Sequence, residues 1–249
     1  MKKWLTLFLA ASLAISLCAC EPQNEQEDTT VTTTTTVTTT EPLCGGTGDP
    51  KDDTTTTGPT TTTAPLPVTD KPVIYLYPTA DMLISVKLDF GGRLTTTYPA
   101  YRDGWTVIAH PDGTLTDPET GREYYCLYWE GITDIAYDLS RGFVVPGGDT
   151  AAFLEETLAT LGLTEREANE FIIYWLPRME GNAYNLITFQ NDIYTENAEL
   201  TVTPAPDSML RVFMAWKPLD EPVEIEPQEL PTFTREGFTV VEWGGSELS

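Results

Sequence analysis

Two similar corners of the sequence could carry acid–base chemistry. The stretches YWEG and VEWGG each place a glutamate next to a tryptophan and before glycine, so that Glu130 follows Trp129 and Glu242 precedes Trp243. Two carboxylates that flank a sugar bond suffice for glycoside hydrolysis, one as the acid and the other as the nucleophile or base. The neighbouring indole rings could stack on the sugar. In the plainer interpretation, the tryptophans pack in the core and the glutamates face water.

A ligand-binding site has broader support in the sequence. Aromatic residues are plentiful, Trp175 among them, and the segment PRMEGNAYN supplies Glu180, Asn182 and Asn185 on a predicted loop. Aromatic faces combined with amide and carboxylate groups suit sugars and peptides alike. The candidate ligand-binding set is therefore Trp129, Glu130, Trp175, Glu180, Asn182, Asn185, Glu242 and Trp243. In the alternative interpretation these aromatic residues belong to the core, and the two asparagines shape a turn.

Other catalytic and cofactor motifs are absent from the sequence. It contains no Gly-x-Ser-x-Gly elbow, no His-Glu-x-x-His pair, no paired Cys-x-x-Cys spacing and no phosphate-binding glycine loop. The single histidine, His110, cannot build a multi-histidine metal site, and it is the one candidate histidine base for a serine or cysteine nucleophile. We therefore expect no cofactor and no metal, and a binding protein rather than an enzyme.

The elements that must position these residues are mostly strands. VIYLY is apolar on both faces and lies between Pro72 and Pro78, which predicts a buried strand where the folded part begins. MLISVKLDF alternates apolar and polar residues, as a strand with one wet face does. Gly91 and Gly92 then predict a tight hairpin into RLTTTY. Further strand patterns continue as a meander through WTVIAH and EYYCLYWE, and others return in AYNLITF, AELTVTP, MLRVFMAWK and GFTVVEW.

A pair of predicted helices separates the two groups of strands. Asp149 can cap the first helix, and Gly162 ends it. Thr164 and Glu167 have capping-box spacing for the second, which Pro177 should break or kink. Because strands and helices do not alternate, the pattern predicts an α+β domain. We expect a mostly antiparallel sheet or a two-sheet sandwich, with the helical pair inserted between the strand groups.

Three long stretches carry a resemblance to other proteins. KPVIYLYP, YWLPRMEGNAYNLITFQ and GFTVVEWGG are similar to segments of a family of bacterial exported proteins with no assigned activity. The resemblance extends from Lys71 to Glu247 and implies a shared fold and an exported location. It implies no catalytic residue, cofactor or substrate.

The front of the chain predicts export and lipidation. Residues 1–19 have the positive start, short apolar run and small residues of a signal peptide. LCAC resembles the lipobox of bacterial lipoproteins, which implies cleavage before Cys20 and a lipid on its sulfur. Cys18 fits less well because bulky Leu17 would occupy the cleavage site.

The apolar run of the predicted signal peptide is shorter than the roughly 20 residues that span a bilayer. We expect a lipid anchor on the extracytoplasmic face of the cell membrane; the alternative is a secreted protein cut after Ala19.

Composition divides the remainder into a stalk and one domain. Residues 20–70 are rich in threonine and poor in large apolar side chains, which predicts a disordered stalk, and residues 71–249 have the size of a single globular domain. With 14 basic and 38 acidic residues, the formal net charge is −24. Such a surface repels phosphate backbones, so we expect no nucleic-acid partner and membrane contact through the lipid alone. Cys44 and Cys126 could pair or remain thiols.

These observations lead to three functional hypotheses. The main one is a lipid-anchored cell-surface lipoprotein that displays a binding module for a glycan or a protein. The second is a surface glycoside hydrolase that uses Glu130 and Glu242. The third is a structural component of the envelope that assembles with neighbouring proteins.

Overall fold

The computed structural model describes residues 68–248. The predicted signal peptide, Cys20, Cys44 and almost all of the predicted stalk lie outside the described residues. The first strand begins at Val68, three residues before the predicted start of the domain at Lys71. None of the helices among the described residues is long and apolar enough to span a membrane.

The described chain contains twelve strands and three α-helices. In chain order they are β1 (Val68–Tyr77), β2 (Met82–Phe90), β3 (Arg93–Tyr98), β4 (Trp105–Ala109), β5 (Leu115–Thr116), β6 (Glu123–Tyr124), β7 (Leu127–Ile132), β8 (Phe143–Pro146), α1 (Thr150–Leu161), α2 (Glu165–Met179), β9 (Tyr184–Phe189), α3 (Asn191–Asn197), β10 (Ala198–Thr203), β11 (Ser208–Leu219) and β12 (Thr239–Glu247). A short 3₁₀ turn, Gly147–Asp149, precedes α1.

The strands form two sheets. A seven-stranded sheet has the order β3-β7-β1-β12-β11-β9-β8, and a five-stranded sheet has the order β10-β2-β4-β5-β6. Neighbouring strands are antiparallel except for β11 and β12, which run parallel. One core lies between the two sheets, and a second lies between the seven-stranded sheet and the pair α1 and α2. The α+β prediction is confirmed, in its two-sheet form.

The burial of β1 explains why the stretch VIYLY is apolar on both of its faces. Ile74 and Leu76 face the core between the sheets, whereas Val73 and Tyr75 face the core beneath the helices. Because both faces of the strand are covered, both must be apolar. The prediction of a buried strand is confirmed, and β2 shows the predicted alternation of buried and exposed residues.

The ends of the two helices agree with the capping signals except at two positions. Thr164 and Glu167 form the predicted capping box, and Gly162 ends α1 in the left-handed conformation with φ = 100°. Asp149 occupies the cap position of α1, but its side chain accepts no capping hydrogen bond. The helix α2 also continues past Pro177 to Met179. Because Pro177 has no N–H, the carbonyl of Ile173 lacks its helical hydrogen bond. Ile173 is 74% exposed, so a water molecule can donate to that carbonyl instead.

The predicted hairpin at Gly91 and Gly92 is wrong. The strand β2 pairs with β4 and β10, whereas β3 pairs with β7 in the other sheet. The glycines therefore carry the chain from one sheet to the other, and the meander predicted through this region is interrupted. A Cβ on Gly92 would lie 2.3 Å from the carbonyl oxygen of Ile132, so the glycine is required by close backbone approach rather than by a turn.

Candidate functional site

Glu242 lies in the core between the sheets and is fully buried. Its Oε2 accepts a hydrogen bond of 2.7 Å from Nε of Arg211 on the neighbouring strand, and its Oε1 accepts one of 3.0 Å from Nε1 of Trp129. The guanidinium of Arg211 also lies 4.7 Å from the ring centre of Tyr194. Burial, together with the carboxylate of Glu242, raises the pKa of Tyr194 well above its ordinary value. This arrangement is a buried ion pair within a closed core.

Glu130 occupies the other face of the same sheet. It follows Trp129 directly in β7, and successive side chains of a strand point to opposite faces. Its neighbour on its own face is Tyr128, whose pKa is raised by burial and then by the adjacent Glu130 carboxylate. Glu130 and Glu242 are therefore separated by the sheet. The structure does not bring the two carboxylates to one sugar bond.

The tryptophans of the candidate set are core residues. Trp129, Trp175 and Trp243 are all fully buried, and so is Trp216; Trp105 is 4% exposed. Phe171 links two of them, because its ring centre lies 6.2 Å from that of Trp175 and 5.2 Å from that of Trp243. Every tryptophan among the described residues is thus covered by other protein groups. The packing supports the plainer interpretation for the tryptophans. That interpretation is wrong for Glu242, which it placed in water and which is fully buried.

The polar residues after α2 fix the end of that helix. Asn185 is fully buried, and its Nδ2 donates to the hydroxyl of Thr150 and to the carbonyl of Met179, both at 3.0 Å. Asn182 donates to Oδ1 of Asn185 at 2.7 Å. Glu180 is the exposed cap residue of α2. Asn182 and Asn185 therefore tie the helices to β9, and the eight candidate residues do not line one cleft.

The exposed aromatic surface of the domain is built from tyrosines. A cavity of about 360 Å³ forms where the chain passes from the five-stranded sheet at β6 to the seven-stranded sheet at β7. We call it the tyrosine pocket, and its lining is Lys71, Val73, Tyr98, Glu123, Tyr124, Tyr125, Cys126 and Tyr128. Tyr98 is 49% exposed and Tyr125 is 50% exposed. Tyr98 and Tyr124 meet edge to face at 5.5 Å.

Lys71 reaches this pocket through a distortion of β1. The pairing of β1 shifts between Asp70 and Val73 on the β12 side and between Thr69 and Val73 on the β7 side. At the bulge, Lys71 adopts φ = 57°, a left-handed conformation that costs a non-glycine residue roughly 1–3 kcal/mol. Bulges of this kind redirect a side chain beside functional sites.

Aromatic and charged neighbours hold the ammonium group of Lys71. Its Nζ lies 5.3 Å from the ring centre of Tyr128 and 5.4 Å from that of Tyr174. Arg178 covers the Tyr174 ring at 4.4 Å, donates to its hydroxyl and pairs with Asp70 at 3.1 Å. No carboxylate among residues 68–248 forms an ion pair with Lys71. The ammonium is positioned by rings and keeps donors for a ligand.

The thiol that lines the pocket is chemically quiet. Burial, and next the carboxylate of Glu170, raise the pKa of Cys126 to about 12. At neutral pH the sulfur therefore carries its proton and is a poor nucleophile. Cys126 contributes apolar lining to the pocket rather than a reactive group.

Comparison with known proteins finds partial similarity. A protein of Butyrivibrio fibrisolvens described as "Uncharacterized protein in bglA 3'region" is 45% identical over 64 residues, which is 24% of this chain. The chain spans 65% of the length of that relative. No family model matches the chain, and no solved structure matches it.

The described residues contain no cluster of side chains that could bind a metal ion. Within residues 68–248, no group of three or more histidine, cysteine, aspartate or glutamate side chains is arranged to hold a metal ion. His110 contacts Asp81 at 2.9 Å through Nδ1 and the hydroxyl of Thr116 at 3.0 Å through Nε2, beside the β4–β5 turn.

The sequence contained one signal for the tyrosine pocket. The run YYCLYW is dense in tyrosine, and three of its members, Tyr124, Tyr125 and Tyr128, line the cavity. Sequence reasoning instead selected the tryptophans, which bury more completely. No local pattern indicates that Lys71 is left-handed, because the bulge depends on pairing with β7 and β12.

Proposed function

We propose that this protein is a lipid-anchored cell-surface lipoprotein whose folded domain binds a glycan in the tyrosine pocket. The observation that carries the proposal is the strained bulge at Lys71. It places an ammonium without a carboxylate partner among the described residues beside the half-buried rings of Tyr128 and Tyr174, at the tyrosine pocket. Backbone strain of this kind persists where the surrounding structure maintains it, and it clusters at ligand sites.

The lining chemistry fits a sugar. Tyr98 and Tyr125 are about half exposed, and a guanidinium lies near one face of each ring, Arg122 at 6.0 Å from Tyr98 and Arg166 at 5.9 Å from Tyr125. The C–H face of a sugar can stack on the exposed part of such electron-rich rings. Lys71 donates hydrogen bonds and Glu123 accepts them, so both can serve sugar hydroxyl groups. The opposite charges of these two side chains also offset each other, which favours a neutral ligand.

The shape of the site favours a glycan over a folded protein partner. Small-ligand sites are concave and occupy about 300–1,000 Å³, and the cavity of about 360 Å³ falls within that range. A stable protein interface instead needs about 800 Å² on each partner. A glycoside hydrolase has less support, because Glu242 is buried in an ion pair on the opposite side of the sheet from Glu130.

Glycan binding by the full-length chain tests the proposal. We expect an array of neutral glycans to return a binder, whose affinity is then measured by calorimetry. Tyr125→Ala should weaken binding about tenfold, because it removes a stacking face. Lys71→Met should also weaken it, because it keeps the length of the side chain but removes the donor.

Two matched variants control for general effects. Ile173→Ala removes another exposed apolar side chain, and Lys217→Met removes another lysine charge, on β11 away from the pocket; both should bind like the parent chain. The absence of any glycan binder for the folded protein would overturn the proposal. Binding that is insensitive to both Tyr125→Ala and Lys71→Met would show that the tyrosine pocket is not the site.

A further inference from the structure

A second cavity adjoins the tyrosine pocket. It has a volume of about 570 Å³, and its lining is Pro99, Ala100, Arg102, Gly104, Trp105, Thr106, Val107, Asp117, Pro118, Glu119, Thr120 and Tyr124. Tyr124 lines both cavities. The two walls are also continuous along the chain, since Tyr98 belongs to the first cavity and Pro99 to the second. The cavities are therefore neighbours that share one lining residue, Tyr124.

Tyr124 is held firmly at this boundary. Its ring meets that of Tyr98 edge to face, and the guanidinium of Arg122 lies 5.7 Å from the Tyr124 ring centre and 6.0 Å from that of Tyr98. Edge-to-face pairs and guanidinium contacts of this kind stabilise ring orientation. A ligand can therefore meet a preformed aromatic ridge between the cavities.

The second cavity is polar and its walls are preformed. Oδ1 of Asp117 accepts hydrogen bonds from the backbone N–H groups of Glu119 and Thr120, at 2.8 and 2.9 Å, which fixes the 117–120 turn. On another wall, Nε1 of Trp105 donates to the carbonyl of Pro99 at 2.8 Å. The hydroxyl groups of Thr106 and Thr120 and the guanidinium of Arg102 supply further donors and acceptors.

We infer that the ligand is a linear neutral oligosaccharide that crosses Tyr124 and occupies both cavities. This inference rests on the proposed glycan-binding function and extends it from a single sugar to a chain. One sugar unit stacks in the tyrosine pocket, and the following units reach the hydroxyl and guanidinium groups of the second cavity. Anionic polysaccharides are disfavoured by the net charge of −24.

The length of the ligand tests the inference. The full-length chain is titrated with a neutral oligosaccharide series of increasing length, chosen by linkage from the array described above. We expect affinity to rise about tenfold between the shortest binder and the length at which it levels off, as one or two added hydrogen bonds would give.

A blocking variant assigns that gain to the second cavity. Ala100 is exposed in the second cavity, and Ala100→Trp should reduce the affinity of the long oligosaccharide to that of the shortest binder while leaving the shortest binder unchanged. Ala205→Trp, at another exposed alanine, is the matched control and should change neither value.

The outcomes separate this inference from the proposed function. Affinity that does not depend on length, or a long ligand unaffected by Ala100→Trp, would overturn the inference while the tyrosine pocket remained a sugar site. Failure of every glycan to bind would overturn the proposed function itself. The length series uses the unaltered chain, so the result does not depend on the folding of a variant.

Discussion

At the scale of single residues, the domain separates the buried charges of its core from the charge that lines the proposed binding site. Arg211 and Glu242 are joined by a bond of 2.7 Å in a region closed to water, and each is held further by an aromatic neighbour. Lys71 instead lies at a cavity, on rings rather than on a carboxylate. A buried pair is costly to break because the remaining charge loses its compensation.

Loss of charge at Glu130 of YWEG and at Glu242 of VEWGG should therefore change the stability of the domain by different amounts. Glu242→Gln should lower the free energy of unfolding by roughly 3–5 kcal/mol, because it leaves the Arg211 guanidinium buried without a counter-charge. Glu130→Gln, at a partly exposed position, should change it by less than about 1 kcal/mol. Urea unfolding of the full-length chain measures both.

A double variant identifies the origin of the loss. Arg211→Met combined with Glu242→Leu removes both charges, and it should be less destabilised than Glu242→Gln alone. Equal stability of Glu242→Gln and Glu130→Gln would contradict a structural role for the ion pair.

At the scale of elements, local patterns predicted the elements better than they predicted the connections between them. Strand β1, the alternation in β2 and the capping box of α2 follow from side chains close in sequence, and all were predicted correctly. The Gly91–Gly92 connection depends on which sheet each strand joins, and that choice is made by distant partners such as β7. The bulge at Lys71 has the same origin, so the site was less accessible to sequence reasoning than the fold.

Gly245 of the VEWGG stretch is required by close packing. A Cβ on Gly245 would lie 2.6 Å from the carbonyl oxygen of Met214 and 2.6 Å from the ring of Trp175. Strand β12 can therefore pack against β11 and α2 only if this position has no side chain. The same corner that suggested a catalytic glutamate is explained by this close approach.

Substitution of this glycine should destabilise the domain. We expect Gly245→Ala to cost about 1–3 kcal/mol, the usual range for overpacking in a core. Gly148→Ala is the control, because a Cβ there would contact nothing within 4 Å and should change stability by about 0.5 kcal/mol or less. Thermal unfolding of both variants checks the difference, and a Gly245→Ala protein as stable as the control would show that β12 has room to shift.

At the scale of the whole molecule, the proposed binding surface lies where the two sheets join. The tyrosine pocket takes Glu123 and Tyr124 from the five-stranded sheet and Lys71, Tyr98 and Tyr128 from the seven-stranded sheet. The two sheets share one core, and the seven-stranded sheet packs on the helices through a second, so the pocket walls are supported before a ligand arrives. Preformed walls lower the ordering cost of binding, which matters for a sugar that makes few apolar contacts.

Display of this surface outside the cell depends on the proposed lipid anchor. Cys20→Ala removes the acceptor sulfur, so the chain should lose incorporation of a labelled fatty acid and move from the membrane fraction to the soluble fraction. Cys18→Ala removes the neighbouring sulfur and should leave both properties unchanged, because Leu17 makes cleavage before Cys18 unfavourable. Each buried methylene contributes about 0.8 kcal/mol, so two or more acyl chains anchor a protein stably, whereas a single chain binds reversibly. Loss of the label in Cys18→Ala, or an unprocessed parent chain recovered from the cytosol, would contradict the anchor and with it the placement of the glycan site at the cell surface.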